Sequence, residues 1–199
     1  MLTLPLLRKM LNRAGTELKA NSKYLCELDS VAGDGDHGIT IGRMADVMKE
    51  KTEDTTIDTM RVLLDELGDA FMGINGGSAG PLWGTVFTGM AEGIDDQAEL
   101  TDLELRKMFT QAKEDFMDIS KAKPGDKTMV DALYPAIDAI IETQGSLKEI
   151  MTAAAAAADA GAEQTSTMVA RFGRAKNMGE RSIGCLLYTS PSPRDRSLS

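Results

Sequence analysis

The sequence predicts an all-α fold, and two observations lead to this prediction. Aromatic residues make up 5% of the 199 residues, and a chain poor in aromatic and β-branched residues favours helices over sheets. Hydrophobic residues recur at steps of three and four along most of the chain, which is the period of an amphipathic helix. Since no stretch sustains the two-residue alternation of a strand, we expect no strand and seven helices, arranged as an antiparallel bundle or barrel.

Hydrophobic stripes and loop residues place the first helices in order. The first helix is expected over residues 3–28, where a leucine-rich stripe includes Leu4, Leu7, Leu11, Ala14, Leu18 and Leu25. A glycine- and aspartate-rich loop over residues 30–38 separates it from a second helix that starts near Ile39. A third helix is expected over residues 57–71.

Turn and capping signals mark the later helices. Pro81 follows a second glycine-rich loop, over residues 75–80, and suits the first turn of a fourth helix. Thr101 with Glu104, and Ser146 with Glu149, match the capping box that opens a helix, so they predict the starts of the fifth and seventh helices. The sixth is expected over residues 128–143.

Composition and charge exclude several classes of function. The net charge of −9 argues against a nucleic-acid binder, which needs a basic face. Cys26 and Cys185 are too few for a disulfide framework and lack metal-ligand spacing, so a reducing cytoplasm is expected. The N-terminal stretch has the pattern of an amphipathic helix and not of a signal peptide. The longest charge-free apolar run, residues 153–158, is too short to span a bilayer, so no membrane role is expected.

The strongest chemical signal is the segment LDSVAGDGDHGIT, residues 28–40. Asp29, Asp34 and Asp36 place three carboxylates within eight residues, and the intervening glycines let the backbone turn tightly enough for them to converge. Mg²⁺ prefers oxygen ligands of this kind and takes the rest from water and phosphate. The segment therefore predicts a magnesium site, with a solvated acidic turn as the alternative.

The chain has one histidine, His37, which precedes the predicted start of the second helix. The free N–H groups and the positive dipole end of a helix N-terminus favour anions. We therefore expect His37 and Thr40 to contact phosphate. The alternative for a lone histidine is a hydrogen-bonded structural role.

Three further segments are candidates for ligand binding. NGGSAGPLWG, residues 75–84, presents backbone N–H groups and the Ser78 hydroxyl ahead of a helix. Such a turn is a common phosphate cradle, although a tight interhelical turn explains it as well. KAKPGDKTMVDAL, residues 121–133, is typical of a turn before a helix. GRAKNMGERSIG, residues 173–184, carries Arg174 and Arg181, which suit either phosphate recognition or a solvated helix end.

The motifs AGDGDHG, NGGSAGPLWG, KPGDKTMVDAL and GRAKNMGERSIG, in this order, resemble the family of ADP-binding L subunits of bacterial dihydroxyacetone kinase (DhaL). The resemblance covers almost all of residues 1–184 and implies a barrel of eight antiparallel helices with the nucleotide at one end. The family continues with a His-Gln-Asp-Pro-Gly-Ala-type segment and a final helix, which residues 185–199 do not match. We therefore expect a nucleotide-binding domain over residues 1–184, lacking the eighth helix, and a foreign or disordered tail over residues 185–199.

The resemblance also implies the site residues. Asp29, Asp34 and Asp36 match the ligands of two Mg²⁺ ions that bridge the phosphates of ADP or ATP. The other matched positions contact the nucleotide: His37, Gly38, Thr40, Gly77 and Ser78 at the phosphates, Ala122 and Met129 around the adenine, and Arg174 at a further contact. No catalytic residue is implied in this chain, because the residue that captures dihydroxyacetone lies on a partner.

The resemblance finally implies partners. In the phosphotransferase-system form of the family, ADP stays bound as a coenzyme, and an M subunit that carries phosphohistidine recharges it to ATP. The γ-phosphoryl group then passes to dihydroxyacetone held on a K subunit. The length of the chain favours this form. Two alternatives stay open: an ATP-dependent kinase component that acts on another ketose such as erythrulose, and a regulatory module that binds nucleotide without catalysis.

Overall fold

The computed structural model describes residues 1–31 and 33–186, except for the side chain of residue 174. Within these residues the chain forms eight α-helices and two strands of two residues each, so the predicted all-α class is confirmed. The helices are α1 (Leu4–Ala20), α2 (Ser22–Asp29), α3 (His37–Glu53), α4 (Met60–Met72), α5 (Ala79–Glu92), α6 (Asp102–Ile119), α7 (Val130–Glu142) and α8 (Leu147–Gln164). The strands are β1 (Leu2–Thr3) and β2 (Glu99–Leu100). Among the described residues, no helix is both long and apolar enough to cross a membrane.

The chain divides into two compact units. The first unit contains residues 1–23 and 38–119, and the second contains residues 24–37 and 120–199, of which the described part ends at residue 186. The aspartate-rich loop before α3 belongs to the second unit. The glycine-rich loop before α5 belongs to the first.

In the first unit, α4 packs against α5, and α5 packs against α6. The buried face of α4 contains Leu63, Leu64, Leu67 and Phe71, none more than 1% exposed. The Phe71 ring meets the Phe87 ring of α5 edge-on, with 5.1 Å between the ring centroids. Burying one such side chain contributes about 1.5–3 kcal/mol. This contact therefore fixes α5, whose N-terminus follows the glycine-rich loop.

The two strands correct the expectation of no strand. β1 pairs antiparallel with β2, with Leu2 opposite Leu100 and Thr3 opposite Glu99. Both leucines are buried. A strand of two residues is too short to produce a two-residue alternation, so periodicity could not reveal this pairing.

The first predicted helix, residues 3–28, is divided in two. α1 ends at Ala20, and the side-chain amide of Asn21 donates a hydrogen bond to the Glu17 carbonyl oxygen at 2.9 Å. Asparagine favours helix ends because its side chain competes for backbone hydrogen bonds in this way. The prediction of one helix was wrong because the leucine stripe continues to Leu25 across the break. The break raises the number of α-helices in the described residues from the expected seven to eight.

Both predicted capping boxes are confirmed. The Ser146 hydroxyl accepts from the Glu149 N–H at 3.3 Å, and the Glu149 carboxylate accepts from the Ser146 N–H at 2.8 Å. Thr101 and Glu104 form the same reciprocal pair before α6, at 3.4 and 2.7 Å. Local spacing was sufficient here because each partner lies three residues from the other.

In the second unit, α7 packs closely against α8. A Cβ added at Gly161 of α8 would overlap the carbonyl oxygen of Asp131 in α7, so the missing side chain permits this close approach. Beyond α8 the chain forms two 3₁₀ segments, Thr165–Thr167 and Arg174–Ser182, and the second is interrupted at Gly179.

The predicted boundary between a domain over residues 1–184 and a tail over residues 185–199 stays a prediction. Residues 187–199 lie outside the described residues. The described end of the chain is in contact with the second unit, because Cys185 packs against the buried residues Ala170 and Ala175.

Candidate functional site

Three carboxylates of the second unit converge. Asp29 lies at the end of α2, and Asp34 and Asp36 lie in the loop before α3. Each offers a carboxylate oxygen, and these oxygens lie within 4.8 Å of one another. Asp29 is half-buried, whereas Asp34 and Asp36 are exposed. The structure thus brings together the three residues expected to bind magnesium, and their role as ligands stays a prediction.

Asp29 also organises the loop that carries the other two carboxylates. Its Oδ2 accepts hydrogen bonds from the Gly35 N–H at 2.8 Å and from the Asp36 N–H at 3.2 Å. Gly35 has a positive φ of 74°, which glycine adopts without a steric penalty. A Cβ added at Gly33 would overlap the Asp29 carboxylate. The glycines between the aspartates are therefore needed for this tight turn.

The donor set suits a hard divalent cation. Mg²⁺ prefers carboxylate oxygens and commonly combines one or two of them with water and phosphate oxygens. Three carboxylates at this separation repel one another without a cation. The net charge of −9 on the whole chain adds to that repulsion. The loop is therefore better suited to binding cations than to binding an anion directly.

His37 is the first residue of α3 and is half-buried. Burial lowers the pKa of His37 below its ordinary value, and the negative charges of Asp29 and Asp36 act in the opposite direction. Because burial has the larger effect, it favours the neutral imidazole, which can donate one hydrogen bond from a ring nitrogen.

Thr40 of α3 lies against the glycine-rich loop, and Thr40 and that loop both belong to the first unit. Thr40 and the neighbouring Gly38 are buried. The Thr40 hydroxyl donates a long hydrogen bond, 3.5 Å, to the Gly76 carbonyl oxygen. A Cβ added at Gly76 would overlap this hydroxyl. The structure thus places Thr40 against the glycine-rich loop, and its contact with phosphate stays a prediction.

The glycine-rich loop enters α5 through two residues with positive φ, Gly76 at 151° and Gly77 at 73°. Arg43 of α3 holds the start of the loop, because its guanidinium donates to the Asn75 carbonyl oxygen at 2.6 Å. Ser78 is buried at the N-terminus of α5, and its hydroxyl makes no capping hydrogen bond to that helix. The N–H groups of the first turn of α5 are suited to an anion.

The two positions expected around the adenine, Ala122 and Met129, lie in one loop of the second unit and are buried, at 4% and 2% exposed. Asp131, in the first turn of α7, holds this loop. Its carboxylate accepts hydrogen bonds from the Gly125 N–H at 2.5 Å and the Thr128 N–H at 2.7 Å. These hydrogen bonds tie the loop to the first turn of α7, and its contact with adenine stays a prediction.

The fourth motif, residues 173–184, forms the second 3₁₀ segment, whose last residue is Ser182. Ser182 is fully buried, and its hydroxyl accepts from the Ala170 N–H at 2.9 Å and donates to the Gly179 carbonyl oxygen at 2.6 Å. The side chain of Arg174 lies outside the described residues, so the nucleotide contact expected there stays a prediction.

Sequence reasoning missed the buried Lys127. Its side chain is 0% exposed, and its ammonium donates to the carbonyl oxygens of Thr165 at 2.6 Å, Ser182 at 2.6 Å and Cys185 at 2.8 Å. Burial lowers the pKa of Lys127. Its position inside the third motif was a signal, but the sequence contains nothing that distinguishes a buried lysine from an exposed one at that position.

Comparisons with known proteins agree with the motifs. A model of the DAK2 domain family matches residues 31–186. The PEP-dependent dihydroxyacetone kinase ADP-binding subunit DhaL of Escherichia coli (strain K12) is 35% identical over 177 residues, which are 87% of this chain and 84% of that protein. The L-erythrulose kinase of Pectobacterium atrosepticum is 36% identical over 181 residues, but this chain spans only 30% of its length.

A solved structure supports the fold. The crystal structure of the dihydroxyacetone kinase from C. freundii in complex with AMP-PNP and Mg²⁺ matches with a TM-score of 0.66 at 26% identity. The match covers 89% of this chain and 31% of that chain. The family match extends over most of this chain, and the identity to DhaL extends over most of both proteins. The chain therefore belongs to the DAK2 domain family.

Proposed function

We propose that the chain is the nucleotide-binding subunit of a dihydroxyacetone kinase, which holds ADP or ATP and passes the γ-phosphoryl group to dihydroxyacetone on a separate partner. The observation that carries this proposal is the convergence of Asp29, Asp34 and Asp36, whose carboxylate oxygens lie within 4.8 Å of one another. The likeness to DhaL over 84% of that subunit's length supports a separate subunit of the same kind.

In this proposal, two Mg²⁺ ions are bound by Asp29, Asp34 and Asp36. Bound Mg²⁺ supplies positive charge that offsets the phosphate charge during phosphoryl transfer. A chain with a net charge of −9 repels a polyphosphate overall. Affinity for ADP therefore depends on these cations and on local N–H donors.

The helix N-termini supply those donors. His37, Gly38 and Thr40 lie in the first turn of α3, and Gly77 and Ser78 lie directly before α5. N–H groups at a helix N-terminus point toward an anion, and the helix dipole favours negative charge there. We assign these five residues to the phosphates, the neutral His37 acting as a hydrogen-bond donor.

The loop with Ala122 and Met129 binds the adenine in this proposal, and Arg174 makes a further nucleotide contact. Since Asp131 already fixes that loop, little ordering is needed when the base binds. The chain thus contributes nucleotide binding and electrostatic stabilisation of the transferred group. Capture of the sugar belongs to a partner K subunit, and recharging of ADP belongs to an M subunit that carries phosphohistidine.

A second candidate has the same site chemistry but another sugar. The 36% identity to an L-erythrulose kinase favours a ketose kinase component that acts on erythrulose. In this second candidate the ATP exchanges freely. The sugar is not selected by this chain in either case, so the partner decides between them.

Reconstitution tests the proposal. The purified chain is mixed with a K subunit and a phosphorylated M subunit, and transfer to dihydroxyacetone or erythrulose is followed by mass. Transfer to dihydroxyacetone that requires the chain and starts from ADP retained through purification is the expected result. Transfer that requires added ATP and does not start from retained ADP supports the second candidate. Nucleotide binding without transfer to either sugar contradicts both candidate functions. The remaining interpretation is then a regulatory module that binds nucleotide without catalysis.

A further inference from the structure

A buried cation joins two segments of the second unit. Lys127 is completely buried, and its three hydrogen bonds reach the carbonyl oxygens of Thr165, Ser182 and Cys185 at 2.6, 2.6 and 2.8 Å. Its φ is 59°, and no other described non-glycine residue has a positive φ. Such a conformation is unfavourable for a residue with a side chain, so the surrounding contacts must hold it in place.

The bonds of Lys127 are charge-assisted and replace its lost hydration. A buried ammonium is unfavourable unless its three donors are all used, and three carbonyl oxygens use them here. An apolar replacement would leave these oxygens without this donor. The relative position of the two segments therefore depends on the ammonium group.

The described segment that Lys127 binds, residues 165–185, has a small cluster of fully buried apolar residues. Its buried cluster consists of two alanines, Ala170 and Ala175, with Cys185 packed against them. The hydrophobic effect scales with buried apolar area, and side chains this small bury little of it. Polar contacts therefore help to position residues 165–185, together with half-buried side chains such as Val169 and Phe172.

A second polar contact lies directly beside Lys127. The Arg171 N–H donates to the Asp126 carbonyl oxygen at 3.1 Å, and the Arg171 guanidinium lies 3.7 Å from the Asp126 carboxylate. The Arg171 side chain is 72% exposed, so this ion pair is weak. Lys127 is thus a buried, charged connection, among the described residues, between the loop that carries Ala122 and Met129 and the segment that carries Arg174.

We propose that Lys127 is a positioning residue for the nucleoside part of the nucleotide. It sets the distance between the two segments expected to contact the adenine and its neighbouring groups, and it does not touch the phosphates. This inference rests on the proposed function, because the nucleoside contacts at Ala122, Met129 and Arg174 are part of that proposal.

The first unit contains a matched control. The Arg8 guanidinium donates to the carbonyl oxygens of Thr52 at 2.6 Å, Asp54 at 2.8 Å and Ile57 at 2.5 Å. Arg8 therefore connects α1 to the end of α3 through one cation and three carbonyls, as Lys127 does in the second unit. None of the residues bound by Arg8 is a proposed ligand contact.

The test compares Lys127→Met with Arg8→Met in the full chain. Both remove one positive charge and the donors to three carbonyls, so both should lower the melting temperature. Affinities for Mg·ADP and for inorganic Mg·tripolyphosphate are then measured by calorimetry. Lys127→Met should weaken Mg·ADP binding about tenfold or more and leave Mg·tripolyphosphate binding unchanged. Arg8→Met should leave both affinities unchanged.

The outcomes separate this inference from the proposed function. Equal weakening of both ligands by Lys127→Met, or no weakening of Mg·ADP, overturns the positioning role alone. Failure of the unsubstituted chain to bind Mg·ADP overturns the proposed function and this inference with it. If Lys127→Met does not fold, Lys127→Gln retains two N–H donors and should show the same selective loss of Mg·ADP binding. An unchanged ratio of the two affinities in that variant contradicts the inference.

Discussion

The aspartate-rich loop before α3 and the glycine-rich loop before α5 both turn tightly into a helix, but they carry opposite electrostatic character. The first places three carboxylates within 4.8 Å of one another. Residues 75–80, which form the second, contain no charged side chain and present the N–H groups of a helix start. The difference shows that the aspartate-rich loop is suited to cations and the glycine-rich loop to anions.

The two loops are also held in different ways. Asp29 accepts two backbone hydrogen bonds within the aspartate-rich loop, so one of the residues proposed to bind metal maintains the shape of that loop. The glycine-rich loop is held from α3 instead, by Arg43 at the Asn75 carbonyl and by Thr40 at the Gly76 carbonyl. A substitution at Asp29 should therefore change both the shape of its loop and any ligand binding there. In the glycine-rich loop, the shape depends on contacts from α3.

The largest effect is expected from the exposed aspartates. Asp34→Ala or Asp36→Ala should lower phosphoryl transfer about 100-fold or more, because in the proposed function each removes a metal ligand in the transition state. The melting temperature without metal should stay the same or rise, since one of three repelling charges is lost. Transfer assays and thermal melts in a chelator measure the two effects. A melting temperature lowered by many degrees would show that these carboxylates are structural.

Gly76→Ala should destabilise the folded chain by about 1–3 kcal/mol, because an alanine there combines a positive φ of 151° with overlap of the Thr40 hydroxyl. Gly77→Ala is the matched control. Its φ is 73°, but no heavy atom lies within 4 Å of the added Cβ, so the cost should be about 1 kcal/mol. Urea unfolding of both variants tests this order, and equal losses would contradict the close approach of Thr40.

Asp29→Ala should differ from Asp34→Ala in the absence of metal. It removes the acceptor of the Gly35 and Asp36 N–H groups, and the expected loss is about 1–2 kcal/mol. Asp34→Ala should show no such loss. The free energies of unfolding of the two variants are compared in a chelator. Equal values would show that the glycines, and not the Asp29 carboxylate, hold the loop.

The smallest change in stability is expected for Thr40→Val. The hydrogen bond of the Thr40 hydroxyl is long, at 3.5 Å, so its loss should change the free energy of unfolding by less than about 0.5 kcal/mol. Mg·ADP binding should nevertheless weaken if the hydroxyl contacts phosphate. Unchanged affinity in calorimetry would assign Thr40 to the loop structure alone.

Features with local causes could be predicted from the sequence. The capping pairs at Ser146 and Thr101 span three residues, and Asp29, Asp34 and Asp36 lie within eight, so spacing alone showed which groups could meet. The division at Asn21 was missed because the hydrophobic stripe continues past it. The pairing of Leu2 with Leu100 was missed because two residues carry no period.

Lys127 shows why the rest of the site could not be predicted. Its three partners lie 38, 55 and 58 residues away in the sequence. No local pattern reports a contact at such separations, and lysine is usually exposed. Burial of a charged residue becomes visible only once the packing of α7, α8 and the 3₁₀ segments is known.

Calorimetry of ADP binding with Mg²⁺ and with a chelator tests the central claim most directly, after removal of any retained nucleotide. The account predicts binding in Mg²⁺ that is lost in the chelator, and the same loss in Mg²⁺ for a chain with Asp34→Ala and Asp36→Ala. Equal affinity with and without Mg²⁺ would contradict it, because the three carboxylates would then have no metal to hold.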